Sequence, residues 1–160
     1  MRTETTHFEL QTADGPTRTV LARPSGIGTW PAGRGVTGYC MGGNLALRCA
    51  GLFPEQLAAA ASFHGGNLAH DGADSPHQLA TKMKAELYVA GAVEDPSFPD
   101  PMKARLEAAL SEAHVTHLIE TYPARHGFAV PDSPVFDAAA AERHWAALEA
   151  LFTRRLKRPA

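Results

Sequence analysis

The nine residues Gly35-Val36-Thr37-Gly38-Tyr39-Cys40-Met41-Gly42-Gly43 constrain this chain more than any other stretch. Gly35 to Tyr39 reads as a short strand running directly into Cys40. Met41 to Ala50 then reads as a helix, closed by Gly51 and followed by Pro54. A strand that turns into a helix at a cysteine, with glycine two places away on each side, matches the elbow pattern in which a nucleophile is displayed. Small residues are expected at both ends because the turn is tight and brings backbone segments together. The cysteine side chain is then pushed out over the carboxyl end of a sheet. A helix N-terminus behind it favours the thiolate, and the Met41 backbone N–H points to where an oxyanion would develop. The plain alternative is a buried structural cysteine beside a glycine-rich turn.

The elements around the elbow set the fold class. Phe8–Gln11 and Thr19–Ala22 flank Ala13-Asp14-Gly15 and read as a β-hairpin. Arg23 to Gly35 is rich in Gly and Pro and reads as a loop. Leu57–Phe63 is ambiguous: four alanines favour helix, whereas a short apolar run ending at His64-Gly65-Gly66 suits a buried strand, the reading adopted. Ser75–Met83 is expected to be a short helix with Pro76 in its first turn, Glu86–Ala90 a strand, Pro101–Ala113 an amphipathic helix and Val115–Thr121 a strand. A long last helix, capped by Asp132 or Ser133, reaches about Leu156, with Trp145, Leu148, Leu151 and Phe152 as its core-facing stripe. Such alternation after a hairpin implies an α/β fold, a mostly parallel sheet with helices on its faces.

Strand ends of such a sheet are where sites form, and two further residues fall there. Asp95 follows the strand Tyr88-Val89-Ala90, and His126 follows the last strand. Glu94 is the rival acid, but Asp95 opens the turn Asp95-Pro96. Cysteine, acid and histidine thus appear in the order that a nucleophile, acid and base require on this kind of sheet.

Composition narrows the partners. A formal net charge of −2 gives no electrostatic case for nucleic acid or an acidic membrane surface. No apolar run approaches the roughly 20 residues of a membrane-spanning helix. The polar start Met1-Arg2-Thr3-Glu4 does not read as a signal peptide, so the cytoplasm is the expected compartment. If the segment after Cys40 is helical, Cys40 and Cys49 lie ~13 Å apart, too far for a disulfide. Histidines are scattered without partners at ligand spacing, so no metal site is expected.

Gly-Tyr-Cys-Met-Gly-Gly (38–43), Ala-Ser-Phe-His-Gly-Gly (61–66), Tyr-Val-Ala-Gly-Ala-x-x-Asp (88–95) and His-Gly-Phe-Ala-Val-Pro (126–131) resemble the dienelactone hydrolase family of the α/β-hydrolases. The resemblance runs from Gly35 to about Leu156. It implies a shortened, three-layer α/β-hydrolase-like fold: residues 1–32 form a hairpin and loop, and 33–160 form the catalytic half of one domain. It further implies cofactor-free hydrolysis of a small ester or enol-lactone, with Cys40 as nucleophile, His126 as base, Asp95 orienting it, and the Met41 N–H as oxyanion donor. Tyr39, His64 and Phe128 are pocket candidates. A βαβ unit needs about 30 residues, and Ala22 to Val36 leaves no room for one. An internal segment between Ala32 and Gly35 is therefore expected to be missing, and with it the loop carrying a second oxyanion donor. The place of one substrate-binding arginine of the family holds Val130. The strand ending at Tyr39 then becomes a sheet edge, which invites a homodimer. Rival readings are an inactive remnant serving as an association module and a redox-responsive thiol.

Overall fold

The computed structural model describes residues 3–12, 15–24 and 33–156. Contacts divide the chain into two units, Met1–Trp30 and Pro31–Ala160. In the first, β1 (Thr3–Thr12) pairs antiparallel with β2 (Gly15–Pro24), from Thr12 opposite Gly15 to Thr3 opposite Pro24. The expected hairpin is thus present with longer strands. Its turn residues 13–14, and most of the expected loop (25–32), lie outside the described residues.

The second unit holds a four-stranded, wholly parallel sheet in the order β3 (Arg34–Tyr39), β4 (Leu57–Phe63), β5 (Glu86–Ala92), β6 (His117–Tyr122). Three helices accompany it: α1 (Met41–Leu52), α2 (Asp100–Glu112) and α3 (Ala138–Arg155). The alanine-rich run is a strand because both of its faces are covered. Ala60, with Leu87 and Val89 of β5, belongs to the core shared with Leu47 of α1 and Leu106 and Leu110 of α2. Ala59, Ala61 and Phe63, with Tyr88 and Ala90, belong to the core shared with Leu148 and Leu151 of α3. Period-two alternation sends successive residues to opposite layers, and an Ala-rich central strand lets both helices approach closely.

Several boundaries differ from those read in the sequence. Helix α1 continues through Gly51 to Leu52: Gly51 is buried with its Cα side against Leu79, where a larger residue would clash. The segment Pro76–Lys82 is a 3₁₀ helix. Strand β6 starts at His117, two residues late. Helix α3 is capped by neither Asp132 nor Ser133. Its cap is Asp137, in an extended conformation, whose carboxylate accepts the Ala140 N–H at 2.9 Å, while the Ser133 hydroxyl accepts the Val135 N–H at 3.3 Å. The inward stripe of α3 is Ala140, Ala141, His144, Leu148 and Leu151. Trp145 is 55% exposed, one helical position away from the place that His144 takes.

The elbow depends on one close approach. A Cβ on Gly38 would sit 1.9 Å from the Gly42 carbonyl oxygen, and one on Gly43 would sit 2.3 Å from Ser62 Oγ. A Cβ on Gly42 would meet nothing within 4 Å. The requirement for a small residue therefore falls on Gly38 and Gly43, not equally on both ends of the pentapeptide. Gly38→Ala is expected to destabilise the protein by about 3 kcal/mol or more, whereas Gly42→Ala should stay within about 1 kcal/mol. Urea titrations of the two variants followed by circular dichroism measure this contrast; equal losses would contradict it.

Candidate active site

Cys40 occupies the single residue between β3 and α1, with φ 52 and ψ −123. A non-glycine residue in this region is strained, and the surroundings hold it there. The Cys40 N–H is shared between the Phe63 carbonyl and His64 Nδ1, each at 3.2 Å. The Gly43 N–H donates to the Cys40 carbonyl at 3.0 Å. Strand end and helix start are thereby pinned on both sides of the sulfur, which is left exposed.

Asp95 and His126 arrive from the loops after β5 and β6. The Asp95 carboxylate is almost fully buried; one oxygen accepts the Ser97 N–H at 2.9 Å and the Ser97 hydroxyl at 2.6 Å. Its other oxygen lies 2.8 Å from His126 Nδ1. A carboxylate can only accept, so Nδ1 carries the proton, and Nε2 faces the Cys40 sulfur at 3.1 Å. Glu94 is exposed in the same turn, with φ 51, and reaches neither partner.

The electrostatics follow from these bonds. The hydrogen bond to His126 holds the Cys40 thiol below its ordinary value, and the Met41 N–H adds to this. Burial alone would lower His126, but its bonds to Asp95 and Cys40 outweigh that and raise it. Burial likewise pushes Asp95 up, yet the Ser97 and His126 hydrogen bonds leave it lowered. The arrangement favours a thiolate–imidazolium pair between the lowered cysteine and the raised histidine.

A cleft of about 390 Å³ opens over this group, lined by Cys40, Met41 and His126 together with Asn44, His70 and Asp74. The three pocket candidates read from the sequence do not line it. Tyr39 points to the α3 layer, stacked on Phe63 with its hydroxyl 3.0 Å from His144 Nε2. Phe128 is completely buried, stacked on Tyr122. His64 is 1% exposed, beneath His126 with ring centroids 5.1 Å apart and edge-to-face with Phe128 at 5.0 Å. All three lie on the α3 side of the site: Tyr39 ends β3, His64 follows β4, and Phe128 sits in the loop after β6.

Residues 28–156 match the model of the dienelactone hydrolase family. The chain belongs to that family. Among solved structures it is similar to a putative dienelactone hydrolase from Klebsiella pneumoniae (26% identity, TM-score 0.68), covering 75% of this chain and 51% of that one. A dienelactone hydrolase-like promiscuous phosphotriesterase from metagenomic libraries is 25% identical (TM-score 0.65), with 77% and 52% covered. The acylaminoacyl peptidase of Pyrococcus horikoshii, at 17% identity and TM-score 0.63, shares the fold. No curated protein shows significant similarity to the chain. The chain therefore spans about half the length of the dienelactone hydrolases it matches, and what it retains is an α/β-hydrolase sheet with the elbow at its β3 end.

Within this dienelactone hydrolase framework, two supporting residues escaped the sequence reading. Ser97 holds Asp95; the Asp-x-Ser spacing of an Asx turn was the available signal. His144, buried beside Tyr39, had none, because its partner is 105 residues away. Among the described residues no group of three metal-ligating side chains assembles, and no helix is long and apolar enough to cross a membrane.

Two outcomes follow. Alkylation of Cys40 by iodoacetamide should show a midpoint below the usual thiol range, and His126→Ala should move it up, read from the rate across pH; an unmoved midpoint would remove His126 as the cause. His64, which accepts the Cys40 N–H and is therefore neutral, is lowered by burial and by the neighbouring His126 to about 4. Its unfolded form binds a proton below about 6.5, so its contribution to stability falls as pH drops from there towards 4 and is flat below. Urea midpoints at the two ends of that window should differ less in His64→Gln than in the wild type.

Proposed function

We propose that the chain is a hydrolase of small esters or enol-lactones that works through a Cys40 acyl-enzyme in the cytoplasm. The observation that carries this reading is His126 held with one ring nitrogen 2.8 Å from Asp95 and the other 3.1 Å from the Cys40 sulfur. In this scheme the Cys40 thiolate attacks the carbonyl carbon and the Met41 N–H donates to the oxyanion. The imidazolium of His126 gives its Nε2 proton to the departing alkoxide, leaving a thioester. His126 then takes a proton from water as the hydroxide attacks the thioester, and the intermediate collapses to the free acid and the Cys40 thiolate, leaving the thiolate–imidazolium pair of the start. Asp95 fixes the tautomer and stabilises the charged ring. No resident cofactor takes part in any step.

One oxyanion donor is identified among the described residues. A donor of this kind is worth about 10²–10³ in turnover, so a rate well below that of a two-donor hydrolase is expected. The half-length match favours one competing reading, a chain that retains the fold without turnover.

A pre-steady-state assay with a small chromogenic acyl ester separates them. A burst of one equivalent followed by turnover is expected; Cys40→Ala should abolish it, and His126→Ala should lower turnover by about 10³-fold or more. Absence of a burst from protein with native circular dichroism would support the inactive reading.

A further inference from the structure

The two edges of the four-stranded sheet are finished differently. At β6, charged pairs flank one exposed apolar residue, Leu118: Glu120 pairs with Arg143, and His117 Nε2 meets Glu107 at 2.9 Å. Arg143 also lies over the Tyr122 ring, 4.2 Å from its centroid. Such charged pairs are how edge strands are normally kept from pairing with other chains.

At β3 the α1 layer is apolar, whereas on α3 the exposed Glu142 and Glu149 share the flank of Trp145. On α1, Met41, Leu45, Cys49 and Phe53 recur every fourth residue and form one stripe. Asn44 and Arg48 bond to Asn67 and Asp74, so Leu45, Cys49 and Phe53 face away from them and towards the β3 side, while Met41 at the helix start also lines the cleft over Cys40. A hollow bounded by Val36, Cys49, Phe53 and Leu57 marks where the stripe meets the strand. Met41, Leu45 and Phe53 are 73%, 50% and 49% exposed, and Leu52 beside them 54%. On α3, Phe152 lies over Gly35, and Trp145, seven residues earlier and on the same side, is as exposed as Leu52. Arg143 and Arg154, on the other flank of α3, face β5 and β6 through Glu86 and Glu120.

We propose that this face is the interface of a homodimer in which β3 pairs antiparallel with β3 of a second copy across a two-fold axis normal to the sheet. That operation continues the sheet and lays α1 against α1 and α3 against α3. Like meets like in such an isologous contact, which suits the uncharged apolar stripe of α1. The one charge in β3, Arg34, sits at the strand's start, so the two copies of it fall at opposite ends, ~20 Å apart for a six-residue strand, where they do not oppose each other. The exposed apolar side chains present roughly 500 Å². With the strand edge and the hollow, each copy approaches the ~800 Å² of a stable interface. The similar region covers 51% and 52% of the two dienelactone hydrolase-like chains, so about half of each has no matched counterpart here.

The test is the mass in solution, by light scattering after size exclusion and by equilibrium ultracentrifugation over a range of micromolar concentrations. Twice 17.1 kDa is expected for the wild type. Leu45→Glu and Phe53→Glu, both at exposed positions, should each raise the dissociation constant at least about tenfold with native circular dichroism retained. Amide exchange in β3 should be slow in the dimer and quicken on dilution. A wild-type mass of 17.1 kDa throughout overturns the proposal; slow β3 exchange in that monomer would mean that the chain covers its own edge. A dimer indifferent to both substitutions overturns it as well, placing the interface elsewhere. The ester burst, measured on the same samples, reads the chemistry independently.

Discussion

The contact between Gly38 and the backbone of Gly42 is the constraint from which the site follows. It allows the chain to leave a parallel strand and enter a helix with one residue between, and that residue is Cys40 in a conformation that L side chains rarely adopt. A wider turn would lower the strain and withdraw the sulfur from the sheet's carboxyl edge. The cost of the left-handed geometry, of order 1–3 kcal/mol, is offset by the hydrogen bonds that Phe63 and His64 accept from the Cys40 N–H.

Beneath the elbow lies a layer of aromatic and imidazole rings: Tyr39, Phe63, His64, Phe128 and His144, with centroids 4.8–6.4 Å apart. Two of its histidines are buried, and burial lowers both. His64 is neutral and serves as an acceptor, while His126, the third histidine, is raised by its carboxylate. His64 and His126, with ring centroids 5.1 Å apart, and His144 beside Tyr39 therefore do different work. Only the one bonded to Asp95 on one side and the thiol on the other is poised to carry a proton.

The sheet that places the site also leaves β3 with a neighbour on one side alone among the described residues. A parallel strand is ordinarily buried on both faces and paired on both edges. β3 is covered by α1 on one face and met by Phe152 of α3 over Gly35 on the other, yet it is an edge of its sheet, and the helices flanking it turn apolar residues outward. Exposure of Leu45, Phe53 and Trp145 is thus a property of an edge, not of poor helix design.

Much was legible in the residues alone. The elbow, the Leu57–Phe63 strand, the order of the elements and the loop positions of Asp95 and His126 are set by local rules: glycine spacing, strand-length apolar runs and turn residues at strand ends. These depend on neighbours a few positions apart. Directions of side chains across the molecule did not yield to such rules. Tyr39, His64 and Phe128 sit next to the motif in sequence and yet point under it, because which face a residue takes depends on the layer it meets. His144 went inside and Trp145 outside against their hydropathies, since a tyrosine hydroxyl 105 positions away gave the imidazole a partner. Ser97 found Asp95, and Asp137 took the cap of α3, by backbone geometry that composition does not display. What the sequence determined by itself was which groups could react and in what order along the chain. Tertiary structure decided which of them meet, which stay neutral and which surface is left open, because hydrogen bonding and burial are settled between segments rather than within them.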